Sequence, residues 1–596
     1  MSSRATTDAP VVDLGYGIYQ GYYNTTSELN IYKGIRYASA PTGALRWQKP
    51  QAPSVNRSQI TLATSYPPRC PQSPSTPLSS TFNFTSSAKG SEDCLFLSVL
   101  SPQNATGLPV MVWIHGGGYG TGQGNNDFSE LIINNSHGFI LVIIQYRLGA
   151  FGFLSSSEVA KYGTANAGLY DMHFSLKWVQ DHIAAFGGDP TRVTIAGESS
   201  GAGAVMLQTM AYGGSQGMAL FQNAIVASPY LPTQWDYDGL HPTQSYDRFV
   251  DAVGCGHASQ TPNTTVFSCL QGADSITLQN ASTYVSGNWK FGQWAFLPVT
   301  DGTFIQERPS LQLLNGQLNG VRILSGNNAD EGPGFVPQNI TTTAAFNSYV
   351  SGLFPLMDND TLGNLQEIYQ ISPTIPGPLF STVGDKEPSA LNQSEFGIGQ
   401  QQRANNLYAE TTFVCPSYWL ATGFSKSKGK QAWKYQYSVP PAEHGADLDA
   451  YYAINREALG YDTLSTAFRL GVQNIWGRFI IYDDPTLTEK VLDDLTTYAN
   501  GTKTGDDLAA ALHGTWVTWE TNGPAEEQYR MLNLNMTGGH ETTISWTNGG
   551  GGKLNVTQYA GPGLQAALSV VDGYAWEAER GKRCQFWADI GAEVPE

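Results

Sequence analysis

Two runs of consecutive apolar residues stand out in the first quarter of the chain. Residues 110–114 and residues 140–144 contain no polar side chain. A strand consists of such an unbroken apolar run when both faces of its sheet are covered, as in a parallel sheet. From residue 169 to residue 186 the apolar positions instead recur every three or four residues, which is the spacing of one helix face. A strand pattern follows at 193–195. This order predicts the α/β class, with a large, mostly parallel central sheet and helices on both faces.

Strand patterns recur later in the chain, separated by long stretches rich in Gly, Pro, Asn and Thr. Residues 321–324 and 433–437 are candidate strands, and the four glycines at 549–552 predict a surface loop. Neither an internal repeat nor a clear linker is visible. We therefore predict one large domain with long insertions over residues 10–596, preceded by a flexible N-terminus at residues 1–9.

The charge balance excludes several classes of partner. The 596 residues include 50 acidic and 32 basic side chains, a formal net charge of −18. Such an acidic surface repels nucleic acid and anionic membranes, so neither is an expected partner. Because no run of 18 or more apolar residues occurs, we also predict no membrane span.

Glycosylation sequons are spread along the whole chain. The pattern Asn-x-Ser/Thr begins at Asn24, Asn56, Asn83, Asn104, Asn134, Asn263, Asn280, Asn339, Asn359, Asn392, Asn500, Asn535 and Asn555. Sequons at this density are typical of secreted proteins. The first residues contain no apolar stretch that could act as a signal peptide. We therefore expect a mature, extracellular glycoprotein whose signal peptide has been removed.

Cysteine usage is consistent with an oxidising compartment. The chain has six cysteines, namely Cys70, Cys94, Cys255, Cys269, Cys415 and Cys584. The first two bracket a loop rich in Ser, Thr and Pro, and the next two bracket a short polar one, but many pairings remain possible from sequence. Because there is no Cys-x-x-Cys spacing and no His/Cys cluster, no metal site is predicted.

The segment Gly197-Glu198-Ser199-Ser200-Gly201 follows the predicted strand at 193–195 directly. The spacing Gly-x-Ser-x-Gly is that of the strained strand-to-helix turn of α/β-hydrolases, which lifts the serine oxygen out of the sheet. The flanking glycines allow the close backbone approach that this turn requires. On its own the pattern recurs by chance in long chains, so its chemistry depends on partners elsewhere.

A serine hydroxyl becomes a good nucleophile when a histidine accepts its proton and a carboxylate orients that histidine. In this fold the partners follow the serine in the order acid, then histidine. Four histidines are excluded because they precede Ser199, namely His115, His137, His173 and His182. Four others are unsuitable for different reasons: His241 and His257 precede any good acid candidate, His513 lies in a helical run, and His540 lies past the last strand that the sheet needs. His444, in a loop just after the strand at 433–437, is therefore the predicted base.

The acid is expected in the loop that follows the preceding strand, at 321–324. Asp330 and Glu331 both lie there, and the residues alone do not separate them, since either could instead cap a helix. Glu198, beside the serine, has two open interpretations: an electrostatic role in the pocket or a buried structural carboxylate.

A glycine-rich segment, residues 115–120, comes directly off the strand at 110–114. Glycines there allow backbone N–H groups to face a carbonyl oxygen as it gains charge, which is the requirement of an oxyanion hole. The N–H of Ser200 is the expected third donor.

Together these residues resemble the type-B carboxylesterase/lipase family, which includes the cholinesterases and many secreted fungal carboxylesterases. Further matching segments lie at 91–95, 146–154, 166–171, 178–179, 186–190, 330–332 and 444–445. The resemblance extends from about residue 10 to the C-terminus. It implies the α/β-hydrolase fold, with Ser199 as nucleophile, Glu331 as acid and His444 as base.

The resemblance implies further roles as well. It implies that Gly117, Gly118 and Ser200 form the oxyanion hole, although alanine is more common in the family at the position of Ser200. It implies the disulfides Cys70–Cys94, Cys255–Cys269 and Cys415–Cys584. It also implies the structural ion pairs Arg46–Glu92 and Arg147–Asp171.

Departures from the family pattern narrow the range of expected substrates. The loop between Cys70 and Cys94 has no tryptophan, whereas cholinesterases hold the choline ammonium there by a cation–π contact. The same loop is polar and broken by prolines, unlike the amphipathic lid of fungal lipases. Residues 288–298 resemble the acyl-pocket segment, so Trp294 and Phe296 are candidate substrate contacts, with Trp294 limiting acyl size. Core packing would explain these aromatic residues equally well.

The sequence as a whole predicts a secreted serine carboxylesterase that acts on a small-molecule ester and needs no cofactor. Two alternatives remain: a lipase or sterol esterase of the same fold acting on long-chain esters, and a non-catalytic binding protein. The intact serine, acid and histidine argue against the second.

Overall fold

The computed structural model describes residues 9–75, 90–257, 264–371, 389–452, 463–488, 516–520, 528–547 and 553–594. Its strands are β1 (Val11–Asp13), β2 (Gly17–Gln20), β3 (Tyr22–Asn24), β4 (Leu29–Arg36), β5 (Asn56–Leu62), β6 (Phe96–Pro102), β7 (Leu108–Ile114), β8 (Ile140–Ile144), β9 (Gly188–Glu198), β10 (Asn223–Ala227), β11 (Arg322–Asn328), β12 (Gln431–Tyr437), β13 (Arg530–Thr537), β14 (His540–Thr547), β15 (Lys553–Ala560) and β16 (Gln565–Asp572).

Helices connect and surround these strands. They are α1 (Ser129–Asn134), α2 (Gly149–Phe153), α3 (Ser157–Tyr162), α4 (Ala167–His182), α5 (Ser200–Met210), α6 (Leu240–Val253), α7 (Val266–Gly272), α8 (Ser275–Gly287), α9 (Pro309–Leu314), α10 (Thr343–Leu353), α11 (Asn359–Ile368), α12 (Gln400–Ala409), α13 (Cys415–Lys426), α14 (Leu448–Tyr451), α15 (Thr466–Tyr482) and α16 (Trp576–Asp589). A π-helical turn, Glu410–Val414, joins α12 to α13.

Within the described residues, eleven strands form one central sheet in the order β16-β13-β12-β11-β10-β9-β7-β8-β6-β4-β3. The strands from β8 to β13 along this order are parallel, and β16, β6, β4 and β3 pair antiparallel at the two ends. The central sheet is therefore mostly parallel, which confirms the predicted α/β class.

The hydrophobic core lies on both faces of this sheet. Along β7, Val110, Val112 and Ile114 belong to one buried cluster, whereas Met111 and Trp113 belong to the other. Successive side chains of a strand point to opposite faces, so a strand covered on both sides must be apolar at every position. This explains the unbroken apolar run at 110–114.

The predicted elements are found with small differences in their bounds. The run at 140–144 is β8, and the patterns at 193–195, 321–324 and 433–437 lie within β9, β11 and β12. The helical pattern ends earlier than predicted, because residues 183–186 turn into a 3-10 helix after α4. Gly187, in the left-handed conformation with φ of 84°, ends that turn.

The prediction that the sheet is complete before His540 is wrong. The strand β16 follows His540 in the chain and pairs with β13 at the edge of the central sheet. His540 itself begins β14, which pairs with β15 in a separate antiparallel hairpin. The predicted loop at 549–552 and His513 lie outside the described residues.

The structure forms three disulfides, Cys70–Cys94, Cys255–Cys269 and Cys415–Cys584. These are the pairings that the family resemblance implies. The two implied ion pairs are also present, with Arg46 Nε 2.7 Å from a Glu92 oxygen and an Arg147 nitrogen 2.7 Å from Asp171.

The asparagines of the sequons differ in burial. Asn56, Asn104, Asn280, Asn339, Asn359 and Asn555 are exposed, and Asn24 and Asn134 are half-buried. Asn392 and Asn535 are only 2% and 5% exposed, and their side-chain oxygens accept backbone hydrogen bonds from Ser389 and Met536. A glycan on either would have to leave the core, so the structure contradicts these two candidates. Asn83, Asn263 and Asn500 lie outside the described residues.

Candidate active site

Ser199 occupies a sharp turn between β9 and α5. Its φ is 58° and its ψ is −128°, a conformation that costs a residue with a side chain about 1–3 kcal/mol. The neighbouring glycines allow the turn: a Cβ on Gly197 would lie 2.4 Å from the backbone of Gly201, and one on Gly201 would lie 2.1 Å from the Ile114 oxygen. The predicted need for glycine on both sides of the serine is thus a need for close backbone packing.

Three side chains from distant parts of the chain meet at this turn. Nε2 of His444 lies 2.8 Å from Oγ of Ser199, and Nδ1 of His444 lies 2.5 Å from Oε2 of Glu331. Glu331 follows β11 and His444 follows β12, which is the strand paired with β11. The order of the sheet therefore brings serine, imidazole and carboxylate into one line.

The Glu331 carboxylate is fully buried and held by other groups. Its second oxygen accepts hydrogen bonds from the Ser228 hydroxyl and from the backbone N–H of Asn328, both at 2.6 Å. Asp330 faces elsewhere, and its side chain accepts a hydrogen bond from Ser394 at 2.8 Å. The structure therefore separates the two carboxylates that the sequence left equivalent.

Further carboxylates surround the imidazole. Oε1 of Glu198 lies 3.5 Å from Nε2 of His444, and burial raises the pKa of Glu198 to about 8. Burial alone would lower the pKa of His444, but the charges of Glu331, Glu198 and Asp447 outweigh it and raise that pKa to about 9. Because an opposite charge favours the protonated ring, the imidazole is stabilised in its cationic form.

The glycine loop after β7 lies against the serine. A Cβ on Gly116 would come within 3.0 Å of the Ser199 side chain, and one on Gly118 would come within 2.2 Å of the Trp294 ring. Gly117 and Gly118 have φ of 109° and 65°, which glycine adopts readily. No acceptor in the described part of the chain takes the N–H of Gly117 or Gly118, so both remain available to a ligand.

A cavity of about 950 Å³ opens in front of Ser199 and His444. Its lining includes six aromatic side chains, namely Trp113, Trp294, Phe335, Tyr437, Tyr452 and Trp546. Glu198, Glu443 and Asp449 also line it, whereas none of its described lining residues is a lysine or an arginine. The cavity therefore fits an apolar, uncharged ligand better than an anion.

The two aromatic candidates of the 288–298 segment differ in position. Trp294 lines the cavity, and its ring packs edge-on to Tyr230, with 5.5 Å between centroids. The position of Phe296 contradicts its predicted contact with substrate: the side chain is 1% exposed, packs against Phe249 and does not line the cavity. Phe296 cannot contact the substrate because its side chain is buried in the core.

Sequence reasoning missed the part of the cavity wall that comes from the end of the chain. Ile544, Ser545, Trp546 and Gln558 of the β14–β15 hairpin line the same cavity as Ser199. The alternation of polar and apolar residues along both strands could have predicted the hairpin. No local pattern could have placed it at the cavity that Ser199 lines.

In the described ranges no group of three or more His, Cys, Asp or Glu side chains could hold a metal ion. No described helix combines the length and the apolar character needed to cross a bilayer.

The chain is similar to known carboxylesterases and lipases. The family model described as "Carboxylesterase family" matches residues 8–545. The chain is 30% identical over 456 residues to the secreted triacylglycerol lipase LIP1 of Gibberella zeae, covering 71% of this chain and 75% of that protein. It is 30% identical over 504 residues to carboxylesterase patB of Aspergillus clavatus, covering 76% of this chain and 84% of that one.

Solved structures show the same architecture. The crystal structure of Aspergillus niger EstA superposes with a TM-score of 0.73 at 25% identity and covers 99% of each chain. The predicted α/β-hydrolase fold is thereby confirmed. The chain belongs to the carboxylesterase family and is an enzyme that hydrolyses esters.

Proposed function

We propose that the protein is a secreted serine carboxylesterase that works through an acyl-enzyme on Ser199. The observation that carries this proposal is the continuous contact from Glu331 through His444 to Ser199, at 2.5 Å and 2.8 Å. A protein that only binds ligands has no need of this alignment. The strained serine turn adds to the argument, because strain of this kind persists where function requires it.

In the proposed reaction, Oγ of Ser199 attacks the ester carbonyl carbon while Nε2 of His444 accepts the hydroxyl proton. Glu331 orients the ring through Nδ1 and stabilises the imidazolium that forms. The carbonyl oxygen gains charge and accepts hydrogen bonds from the N–H groups of Gly117, Gly118 and Ser200. His444 then donates its proton to the alcohol oxygen as the ester C–O bond breaks. Water next attacks the acyl-enzyme by the same route and releases the acid.

The cavity supports an uncharged ester with a short acyl group as the substrate. Trp294 packs directly against the glycine loop and forms a wall beside the reacting carbonyl. A long acyl chain would have to displace that ring. The relatives include proteins named lipase as well as carboxylesterase. We therefore keep hydrolysis of long-chain esters as the second candidate.

A secreted location is supported by two observations. Relatives of the chain are named secreted lipases. In addition, the structure closes three disulfides, which persist in oxidising compartments.

The decisive experiment is labelling with a fluorescent organophosphonate, followed by turnover of p-nitrophenyl acetate. We expect stoichiometric labelling of Ser199 in the wild type and loss of both labelling and turnover in Ser199→Ala. Ser157→Ala, which removes an exposed hydroxyl at the start of α3, is the matched control. Turnover by a folded Ser199→Ala protein at the wild-type rate would overturn the proposal.

A further inference from the structure

We propose that the β14–β15 hairpin forms the subsite for the alcohol part of the ester and that Trp546 selects esters of bulky, aromatic alcohols that carry no negative charge. This inference rests on the proposed function, since it assumes that Ser199 and His444 carry out the chemistry. It concerns a part of the wall that lies at the end of the family match, which stops at residue 545.

The strand order places the hairpin on the histidine side of the site. Along the sheet the order is β13, β12, β11, β10, β9, β7. The hairpin follows β13, His444 follows β12, Ser199 follows β9, and the glycine loop follows β7. The hairpin and the glycine loop therefore approach the serine from opposite sides.

The chemistry assigns a different part of the ester to each side. His444 must protonate the leaving oxygen, so the alcohol lies toward the imidazole, whereas the carbonyl oxygen points to the glycine loop. Trp294 contacts that loop, and Trp546 lines the cavity from the hairpin. The alcohol group is therefore the part of the substrate that meets Trp546.

The hairpin presents one apolar face inward. Ile544 lies opposite Val556, and Trp546 lies opposite Leu554, so these side chains share a face. Val556 is 1% exposed, whereas the alternate residues Glu541 and Thr543 are exposed. This alternation is that of a strand pair with one buried and one solvated face.

The hairpin is anchored to the body of the protein at two points. The ring of Trp546 packs edge-on against buried Phe396, with 4.7 Å between centroids, and the backbone N–H of Thr557 donates to the carboxylate of Glu395. The same loop supplies Ser394, which donates to Asp330 beside the proposed acid. The hairpin is thus a fixed wall rather than a free arm, and its aromatic surface can select by shape.

The charges of the cavity define what the alcohol can carry. Glu443 and Asp449 line the cavity with Glu198, and its described lining residues provide no lysine or arginine to neutralise an anion. A carboxylate or phosphate on the alcohol would therefore be repelled. An uncharged aromatic group, in contrast, can stack on Trp546 and hydrogen-bond to the amide of Gln558, which also lines the cavity.

The test compares two ester series on the full-length enzyme. In the first, acetates of ethanol, benzyl alcohol and 2-naphthylmethanol vary only the alcohol. In the second, ethyl acetate, butyrate and hexanoate vary only the acyl group. The variants are Trp546→Ala, the conservative Trp546→Phe, and Thr543→Ala as a control on the exposed face of β14.

For Trp546→Ala we expect kcat/KM on the two aromatic acetates to fall about five- to tenfold, mainly through KM, as loss of an aromatic contact predicts. Ethyl acetate and the acyl series should change less than about twofold, and Trp546→Phe should recover most of the loss. An equal loss on all esters, or a loss that follows acyl length, would overturn the inference. A wild-type protein that hydrolyses no ester and takes no organophosphonate would instead refute the proposed function.

Discussion

Oε2 of Glu331 lies 2.5 Å from Nδ1 of His444, although the two residues are 113 positions apart in the chain. The other oxygen of the same carboxylate is held by Ser228 and Asn328. Both oxygens therefore have defined partners, and the imidazole has one orientation. The neighbouring Asp330 has no such contact with the ring and is bonded to Ser394.

This difference predicts opposite outcomes for two isosteric substitutions. Glu331→Gln should lower kcat on p-nitrophenyl acetate by about 10³- to 10⁴-fold, because an amide does not stabilise the imidazolium or enforce its tautomer. Asp330→Asn should stay within about tenfold of wild type, since Asn can still accept from Ser394. The measurement is kcat from steady-state kinetics. A larger loss of kcat in Asp330→Asn than in Glu331→Gln would instead identify Asp330 as the acid.

The carboxylates around His444 predict an alkaline pH dependence. Ester hydrolysis needs a neutral imidazole, so kcat/KM should rise with pH through an apparent pKa above the ordinary histidine value of about 6.5. The raised pKa of His444, about 9, sets this direction. The measurement is the pH profile of kcat/KM on an ester whose spontaneous hydrolysis is slow.

Glu198 is one source of that shift. Glu198→Gln removes a negative charge 3.5 Å from Nε2 of His444, so the apparent pKa of the profile should fall. The difference should be largest between about pH 8 and pH 9, where Glu198, with its pKa raised to about 8, is ionised and His444, with its pKa raised to about 9, is still partly protonated. Glu579→Gln, an exposed change on α16, serves as the control, and an unmoved profile in Glu198→Gln would contradict the prediction.

Trp294 separates the main cavity from a smaller one of about 20 Å³. Trp294→Ala should join them and raise kcat/KM on p-nitrophenyl hexanoate relative to the acetate on the order of tenfold, because about two more methylenes are buried. Trp289→Ala is the matched control, since Trp289 lines the smaller cavity and not the main one. Unchanged chain-length preference in Trp294→Ala would show that this ring does not limit the acyl group.

A buried ionic cluster holds α16 beside the acid loop. Glu410 is fully buried and contacts Arg583 at 2.7 Å, Arg580 at 3.1 Å and the Tyr369 hydroxyl at 2.5 Å. Glu410→Gln removes the carboxylate that both buried guanidinium groups contact and should lower the free energy of unfolding by about 3–5 kcal/mol. Urea unfolding measures this, with Glu579→Gln as the control; its exposed pair with Lys582 should contribute little. Equal stability of the two variants would contradict the prediction.

If the protein is secreted as proposed, exposure predicts which sequons carry glycans. Asn104 and Asn555 are exposed and should be occupied, whereas Asn392 and Asn535 are buried and should be empty. Peptide mass spectrometry after enzymatic deglycosylation in heavy-oxygen water marks the occupied sites. Occupancy at Asn392 in the folded protein would contradict the described packing.

The fold class and the position of the proposed nucleophile were readable from sequence because they depend on local constraints. Apolar runs at 110–114 and 140–144 reflect strands covered on both faces, and the glycine at 197 reflects a close backbone contact with Gly201 within the serine turn. Each of these features depends on residues that are close together in the chain. The order and spacing of residue types are therefore enough to predict them.

Other features were decided by tertiary structure alone. The choice between Asp330 and Glu331 depends on His444, Ser228 and Ser394, and no local pattern encodes those distances. Burial removed two sequons and placed Phe296 in the core, again through distant neighbours. The sequence determined the strands, the turn and the types of reactive group. Only the packing of strands far apart in the chain decided which carboxylate meets the imidazole and which hairpin lines the cavity in front of the serine.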